Sequence, residues 1–194
     1  MADSTSDNLI HFVKGETIED AIGVFFEIID EGVLRGGTGF IKDDHRCICF
    51  TEASVASLQE GFITKFNTES KYAPLGFMVA KEWLHDQGGR PAIYQPASDY
   101  ANLSDDEKWR HVTHEPSHID FRWEKEWRIQ CGELSISPEN TKLVFLDRFN
   151  ADCVSQQYSS FRTDILSWLP TDGSLGLESF STDLSDWEHA YIKL

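Results

Sequence analysis

Positive charge is scarce in this chain. Only 17 Lys and Arg stand against 33 Asp and Glu, a formal net charge of −16 at pH 7 over 194 residues. Gripping a phosphate backbone takes a surplus of cations, so a general nucleic-acid binder is excluded, while a local basic groove on an acidic body is not. No apolar run reaches the roughly 18 residues that a membrane-spanning helix needs. The stretch up to Asn8 is polar and partly acidic, unlike a secretory signal. Both absences point to a cytoplasmic protein without a membrane partner. Cysteine is sparse as well: four residues in all, at 47, 49, 131 and 153. The i, i+2 spacing of Cys47 and Cys49 in "RCICF" suits a strand with both thiols on one face, in the reduced state expected of the cytoplasm. P-loop, GxGxxG, GxSxG and HExxH signatures are all missing, which removes the strongest nucleotide-binding and hydrolase patterns.

What is present is enough apolar material for one core. Hydrophobic residues make up 40% and aromatics 12% of the chain, and a chain of this length is expected to form a single domain, 1–194. "NLIHFV" (8–13) reads as a strand. "ETIEDAIGVFFEIIDEGVL" places Ile18, Ala21, Ile22, Phe25, Ile28 and Ile29 at helical spacing, with acidic residues at its start and Gly32 as a stop signal. "HRCICFTE" (45–52), "PAIYQ" (91–95), "HIDFRWEKEWRIQ" (118–130) and "TKLVFLDRF" (141–149) read as strands. "LGFMVAKEWL" is expected to begin as a strand and turn helical at Lys81. "SVASLQEGF" and "QQYSSFRTDILSWL" read as helices, and the stretch between Pro96 and Pro116 as polar loop with one short helix. One early amphipathic helix followed by clustered strands predicts an α+β fold rather than alternating βαβ units.

Two constellations carry chemistry. His111, His114 and His118 form a histidine-rich segment whose spacing fixes no metal geometry, so a surface loop is the plainer reading and a metal-dependent hydrolase the alternative. "WEKEWRI" is the second. On a strand, Glu124, Glu126 and Arg128 share one face, opposite Lys125 and Trp127. Arg128 can then pair with a glutamate or fork onto a pyrophosphate. A solvated strand face with weak cross-strand ion pairs is the alternative.

The order of the short motifs "LIHF", "EGVLRGG", "CICFTE", "YAPLGFMVAKEW" and "WEKEWRI" resembles the ADP-ribosyltransferase-like fold, in particular the DarT-type DNA-modifying toxins. "HF", "CFTEA" and "KEWRI" are similar to patterns of AbiGi-type abortive-infection phage-resistance proteins, over roughly residues 9 to 150. The resemblance implies mixed sheets and a reaction in which ADP-ribose leaves NAD for a nucleic acid or protein acceptor. It implies Glu126 as the catalytic carboxylate facing the positive charge that grows on the ribose. It also implies His11 on the adenosine ribose, Phe50 and Thr51 along the nicotinamide pocket, and Tyr72 as the stacking ring. Thr51 has a second reading, as N-cap of the helix that follows. No serine or threonine directly follows a strand tyrosine, a departure from the best-known pattern.

Three functions follow as expectations. One is a mono-ADP-ribosyltransferase, the effector of an antiphage or toxin–antitoxin system, with NAD as co-substrate and no metal. Another is a non-catalytic antitoxin or regulator on the same fold, whose acidic surface meets a basic toxin. The third is the histidine-based hydrolase. The first requires His11 and Glu126 to share a pocket, although more than 100 residues separate them.

Overall fold

The structure is a computed structural model that describes residues 7–39, 41–52, 72–116, 118–146 and 188–192. Strand β1, Asn8–Lys14, leads into helix α1, Ile18–Glu31. The helix starts where a capping box can form: the Thr17 hydroxyl accepts the Asp20 N–H at 3.1 Å, and the Asp20 carboxylate accepts the Thr17 N–H at 3.1 Å. It stops at Gly32, whose φ of 65° is the left-handed turn that glycine adopts without a Cβ clash. Helix α1 therefore ends where the sequence placed its stop signal, and the residues beyond Gly32 form the short strand β2, Val33–Arg35.

Next come β3, Cys47–Thr51, and β4, Tyr72–Ala80. β4 passes directly into helix α2, Lys81–Asp86, at the residue expected from sequence. "PAIYQ" is not one strand. It divides into β5, Arg90–Pro91, and β6, Ile93–Gln95, because the chain changes sheets there. The segment 96–116 holds two 3₁₀ turns, Ala97–Asn102 and Lys108–Arg110, and strand β7, His111–Thr113, in place of a loop with one helix. The strand expected over 118–130 is shorter than its polarity pattern: β8 spans only Glu126–Gln130. Before it, Arg122–Glu124 make a 3₁₀ turn, and Lys125 takes a left-handed φ of 44°. Strands β9, Glu133–Ser135, β10, Thr141–Leu146, and β11, Glu188–Ile192, complete the described chain. The two helices expected at 54–62 and 156–169 lie outside the described residues.

Seven strands form one sheet in the order β11-β10-β4-β1-β3-β8-β5, antiparallel except for the parallel β10–β11 pair. This is a mixed α+β fold with an early amphipathic helix. Helix α1 covers one face. Its buried Ala21, Ile22, Phe25, Phe26, Ile28 and Ile29 join Leu9, Val13, Ile48, Phe50, Leu75, Phe77, Val79 and Ile129 in a single core. Phe25 stacks on Phe77 with ring centroids 4.9 Å apart. At the centre of the sheet Gly76 lets β4 approach β1, since a Cβ there would lie 2.3 Å from the His11 carbonyl oxygen. Opposite α1, the parallel pair β6–β7 forms a separate small sheet. No helix among the described residues is long and apolar enough to cross a membrane.

Candidate functional site

Residues paired across a ladder leave a sheet on the same side. Thr51 pairs with Glu126 and Cys49 with Arg128, so these four side chains share the face turned away from α1. Phe50 and Ile48, paired with Trp127 and Ile129, face the core. Phe50, expected along a ligand pocket, is buried there to 2% exposure. Trp127 reaches past the core edge, and its indole N–H donates to the Glu52 carboxylate at 2.8 Å. The other Glu52 oxygen accepts from Lys81 at 2.6 Å. That triad joins the end of β3 to the start of α2.

On the outer face, Glu126 and Arg128 form a closed unit. Arg128 donates from Nε to Glu126 Oε1 at 2.9 Å and from Nη2 to Oε2 at 3.1 Å. Its Nη1 donates to the carbonyls of Trp109 and His111, both at 3.0 Å. Burial first, and then the charge of Glu126, pushes the neighbouring Cys49 thiol well above its ordinary range. Glu126 and Arg128 are 8% and 5% exposed. Tyr94 closes the near end, its hydroxyl accepting the Glu126 N–H at 2.8 Å, and burial pushes that phenol up to about 12. Of the two roles open to Arg128, the structure fills the pairing one. Glu126 is likewise committed inside the protein.

Glu124 stands apart. The sequence pattern set it beside Glu126 on one strand face, but the left-handed Lys125 interrupts the alternation and puts Glu124 in the preceding turn. Its backbone is anchored there. Its N–H donates to the Phe121 carbonyl at 3.0 Å, the Thr51 hydroxyl donates to its carbonyl, and the Glu52 N–H donates to the Lys125 carbonyl at 3.1 Å. Thr51 is thus not an exposed hydroxyl: it is 7% exposed and ties β3 to this turn, while the helix it was expected to cap lies outside the described residues. The half-buried Glu124 carboxylate takes part in no hydrogen bond or ion pair that the described residues supply. Burial first, and then the charge of Glu126, push it up to about 7.

Tyr72 borders the same region at the start of β4. Burial, then the charge of Glu124, raises its phenol far above the usual range. The Lys14 ammonium lies 4.6 Å from the Tyr72 ring centroid, and its charge acts on Glu124, Cys49 and His11 alike.

His11 is placed differently. Its register with Phe77 and its 5.7 Å ring contact with Phe50 direct it to the α1 side of the sheet, opposite Glu126. β1 and β3 share one ladder pair, Ile10 with Thr51. Beside it the His11 Nδ1 meets the Cys49 carbonyl at 2.8 Å. A carbonyl only accepts, so Nδ1 carries the proton and Nε2 keeps its lone pair. Burial lowers this imidazole to about 4, which keeps it neutral at pH 7. His11 and Glu126 therefore stand two strands apart, with β3 between them, and on opposite faces.

The histidine segment does not converge. His111 is buried in β7 at 3% exposure, with Nε2 3.4 Å from the Pro96 carbonyl, whereas His114 Nδ1 donates to the Ile119 carbonyl at 3.2 Å. Among the described residues no group of three or more His, Cys, Asp or Glu is placed to hold a metal ion. Cys47, Cys49 and Cys131 are free thiols. Sequence reasoning did not find Lys14, Cys49 or Tyr94 as members of the site. The spacing of Cys47 and Cys49 carried part of the signal for Cys49, and nothing local marked the other two. Comparisons of the chain with protein-family models, with curated proteins and with solved structures returned no match.

Proposed function

We propose that this chain is a mono-ADP-ribosyltransferase that moves ADP-ribose from NAD to a nucleic acid or protein, as the effector of an antiphage or toxin–antitoxin system. One observation carries the reading: β1, β3 and β8 are consecutive, so the histidine strand, the "CFT" strand and the glutamate strand lie side by side in one sheet. The sequence reading asked for more, a pocket shared by His11 and Glu126, and their placement on opposite faces of the sheet does not supply it. The chemistry available there suits the reaction. Glu124, in the turn before β8, offers a half-buried carboxylate whose charge in a poorly solvated place would act strongly on a ribosyl cation. Tyr72 offers an aromatic ring in the same region, and a neutral histidine stands on the next strand but one, on the other face. The test is direct: incubate the protein with NAD and measure released nicotinamide, then transfer to DNA, RNA and protein acceptors. Nicotinamide release above the uncatalysed rate is expected. Neither binding nor cleavage of NAD at millimolar concentration would overturn the reading.

A non-catalytic antitoxin or regulator is the second reading, favoured by the closed Glu126–Arg128 pair together with the −16 charge. Such a protein would bind a basic partner quickly and more weakly as salt rises, and would leave NAD intact.

A further inference from the structure

We propose that a cleft at the opposite end of the sheet from Glu124 receives an arginine side chain of a basic protein partner, an assignment that stands whether or not the chain cleaves NAD. The start of β1, the end of β4 and the start of β10 come together there, with Asn8 paired to Ala80 and Thr141 to Val79. Tyr72 lies at the other end of β4. That strand is 9 residues long, so at about 3.3 Å per residue the cleft is roughly 25 Å from the site described above. The cleft has a volume of about 270 Å³. Pockets that enclose a whole ligand or cofactor run from roughly 300 to 1,000 Å³, so this one suits a single long side chain.

The lining selects which side chain. Trp83, half-buried, lines the cleft from the first turn of α2, and Pro138 lines it from the turn before β10. A guanidinium plane stacks on an indole face and keeps its edge free to donate hydrogen bonds. A carboxylate is at hand for that edge, because Glu139 follows Pro138 in the same turn and lines the same cleft. The turn is fixed before any partner arrives. The Ser137 N–H and the Thr141 hydroxyl donate to the Asn140 side-chain oxygen at 2.9 and 2.8 Å. The Asn140 and Thr141 N–H groups donate to the Ser137 carbonyl at 3.1 and 3.0 Å. The Ser137 hydroxyl donates to the Glu139 carboxylate and holds it below its ordinary range, so it is ionised at pH 7. A carboxylate has lone pairs for several donors, and Ser137 takes one of them. Lys142 is the one cation in the lining and has a partner of its own. The net charge of −16 draws a basic chain in, and the indole and the carboxylate then fix one arginine. A polypeptide suits the place better than free arginine, because its other basic residues meet acidic surface beyond the cleft, beginning with the exposed Glu82 next to Trp83.

The experiment titrates isotope-labelled protein with a capped arginine tripeptide, a capped lysine tripeptide and free arginine, and follows the indole N–H signals by NMR. Trp83→Phe identifies the Trp83 signal. The arginine tripeptide should shift that signal saturably, with a dissociation constant in the millimolar range or tighter. Free arginine should bind several-fold more weakly, and so should the lysine tripeptide, whose ammonium has no plane to stack. Glu139→Gln, at an exposed turn position, should weaken the arginine tripeptide about 10-fold. Glu27→Gln, on the exposed face of α1, changes the net charge equally and should weaken it little. A Trp83 signal that stays in place overturns the proposal. Equal weakening by the two variants also overturns it, leaving only general charge attraction, as does a lysine tripeptide that binds as tightly as the arginine one. Free arginine that binds as tightly as its tripeptide overturns the protein partner in favour of a small molecule.

Discussion

Arg128 holds Glu126 by two parallel N–H bonds, at 2.9 and 3.1 Å, under an outer layer that leaves the two residues 5% and 8% exposed. The pair is i, i+2 on one short strand, so a single element carries both charges and the strand pleat alone aligns them. The Arg128 Nη1 bonds to the Trp109 and His111 carbonyls then join this strand to a segment about twenty positions earlier.

Breaking the pair from one side should therefore cost much more than removing it whole. Arg128→Met leaves a buried carboxylate unpaired and should destabilise by about 3 to 5 kcal/mol, and Glu126→Leu by a similar amount. The double variant should recover a large part of that loss, less the two carbonyls left without donors. Urea unfolding of the four proteins measures the cycle. Additive losses would show that the two side chains do not act as a unit.

Much of the frame that places this pair was legible in the sequence. The helical period over residues 18–29, the acidic residues at its start and Gly32 defined α1, and the apolar runs of β1, β3, β4 and β10 were visible as strands. These signals are local, because burial of one face repeats at the period of the element. The head of β8 was not legible. "FRWEKEW" alternates well enough to read as a strand, but Lys125 adopts a left-handed conformation because Thr51 and Glu52 bind the turn from a strand more than 70 positions away. The same holds for the two glutamates. Their spacing suggested equivalent partners on one face, and only the arrival of Trp109 and His111 beside Arg128 separates a sealed carboxylate from an open one. The parallel partner β11 was missed because its pairing with β10 has no local pattern at all.

Gly76 should be intolerant of any side chain. A Cβ at 2.3 Å from the His11 carbonyl oxygen and 3.0 Å from the Phe12 Cα would force β1 and β4 apart at the centre of the sheet. Gly76→Ala is expected to lose at least about 2 kcal/mol by denaturant titration, since both contacts are with backbone that cannot rotate away. An Ala variant of unchanged stability would show that the two strands are not so closely placed.

The start of α1 offers a milder test. Thr17→Ala removes the hydroxyl that accepts the Asp20 N–H and disables one half of the capping box, so a loss of about 1 kcal/mol is expected. Thr17→Ser should keep most of it. Equal losses for the two variants would mean that the hydroxyl bond contributes nothing.

The last prediction couples His11 to Glu124 through the pH dependence of stability. His11 titrates at about 4 when folded against an ordinary 6.5, so its contribution to stability is complete above pH 6.5 and is lost as the pH falls through 4. Glu124 has the opposite sign. Its folded value of about 7 lies above the ordinary 4.5, so its contribution is complete below pH 4.5 and is lost as the pH rises through 7. Between about pH 4.5 and 6.5 the two slopes oppose each other, and the wild type should vary little from these two groups. Each substitution should expose the other group. Glu124→Gln removes the falling slope, so its Tm should rise relative to wild type as the pH goes from 5 to 8. The gain is about 1 to 3 kcal/mol, reduced from the full shift because Glu124 is partly solvated. His11→Phe keeps a ring against Phe50 but leaves the Cys49 carbonyl without its donor. It should cost about 1 kcal/mol at pH 7, and its stability relative to wild type should improve as the pH falls toward 4. Thermal unfolding of the three proteins at half-unit steps from pH 4 to 8 gives both curves. If Glu124→Gln follows the wild-type profile in parallel, Glu124 is not held near neutrality in the folded protein.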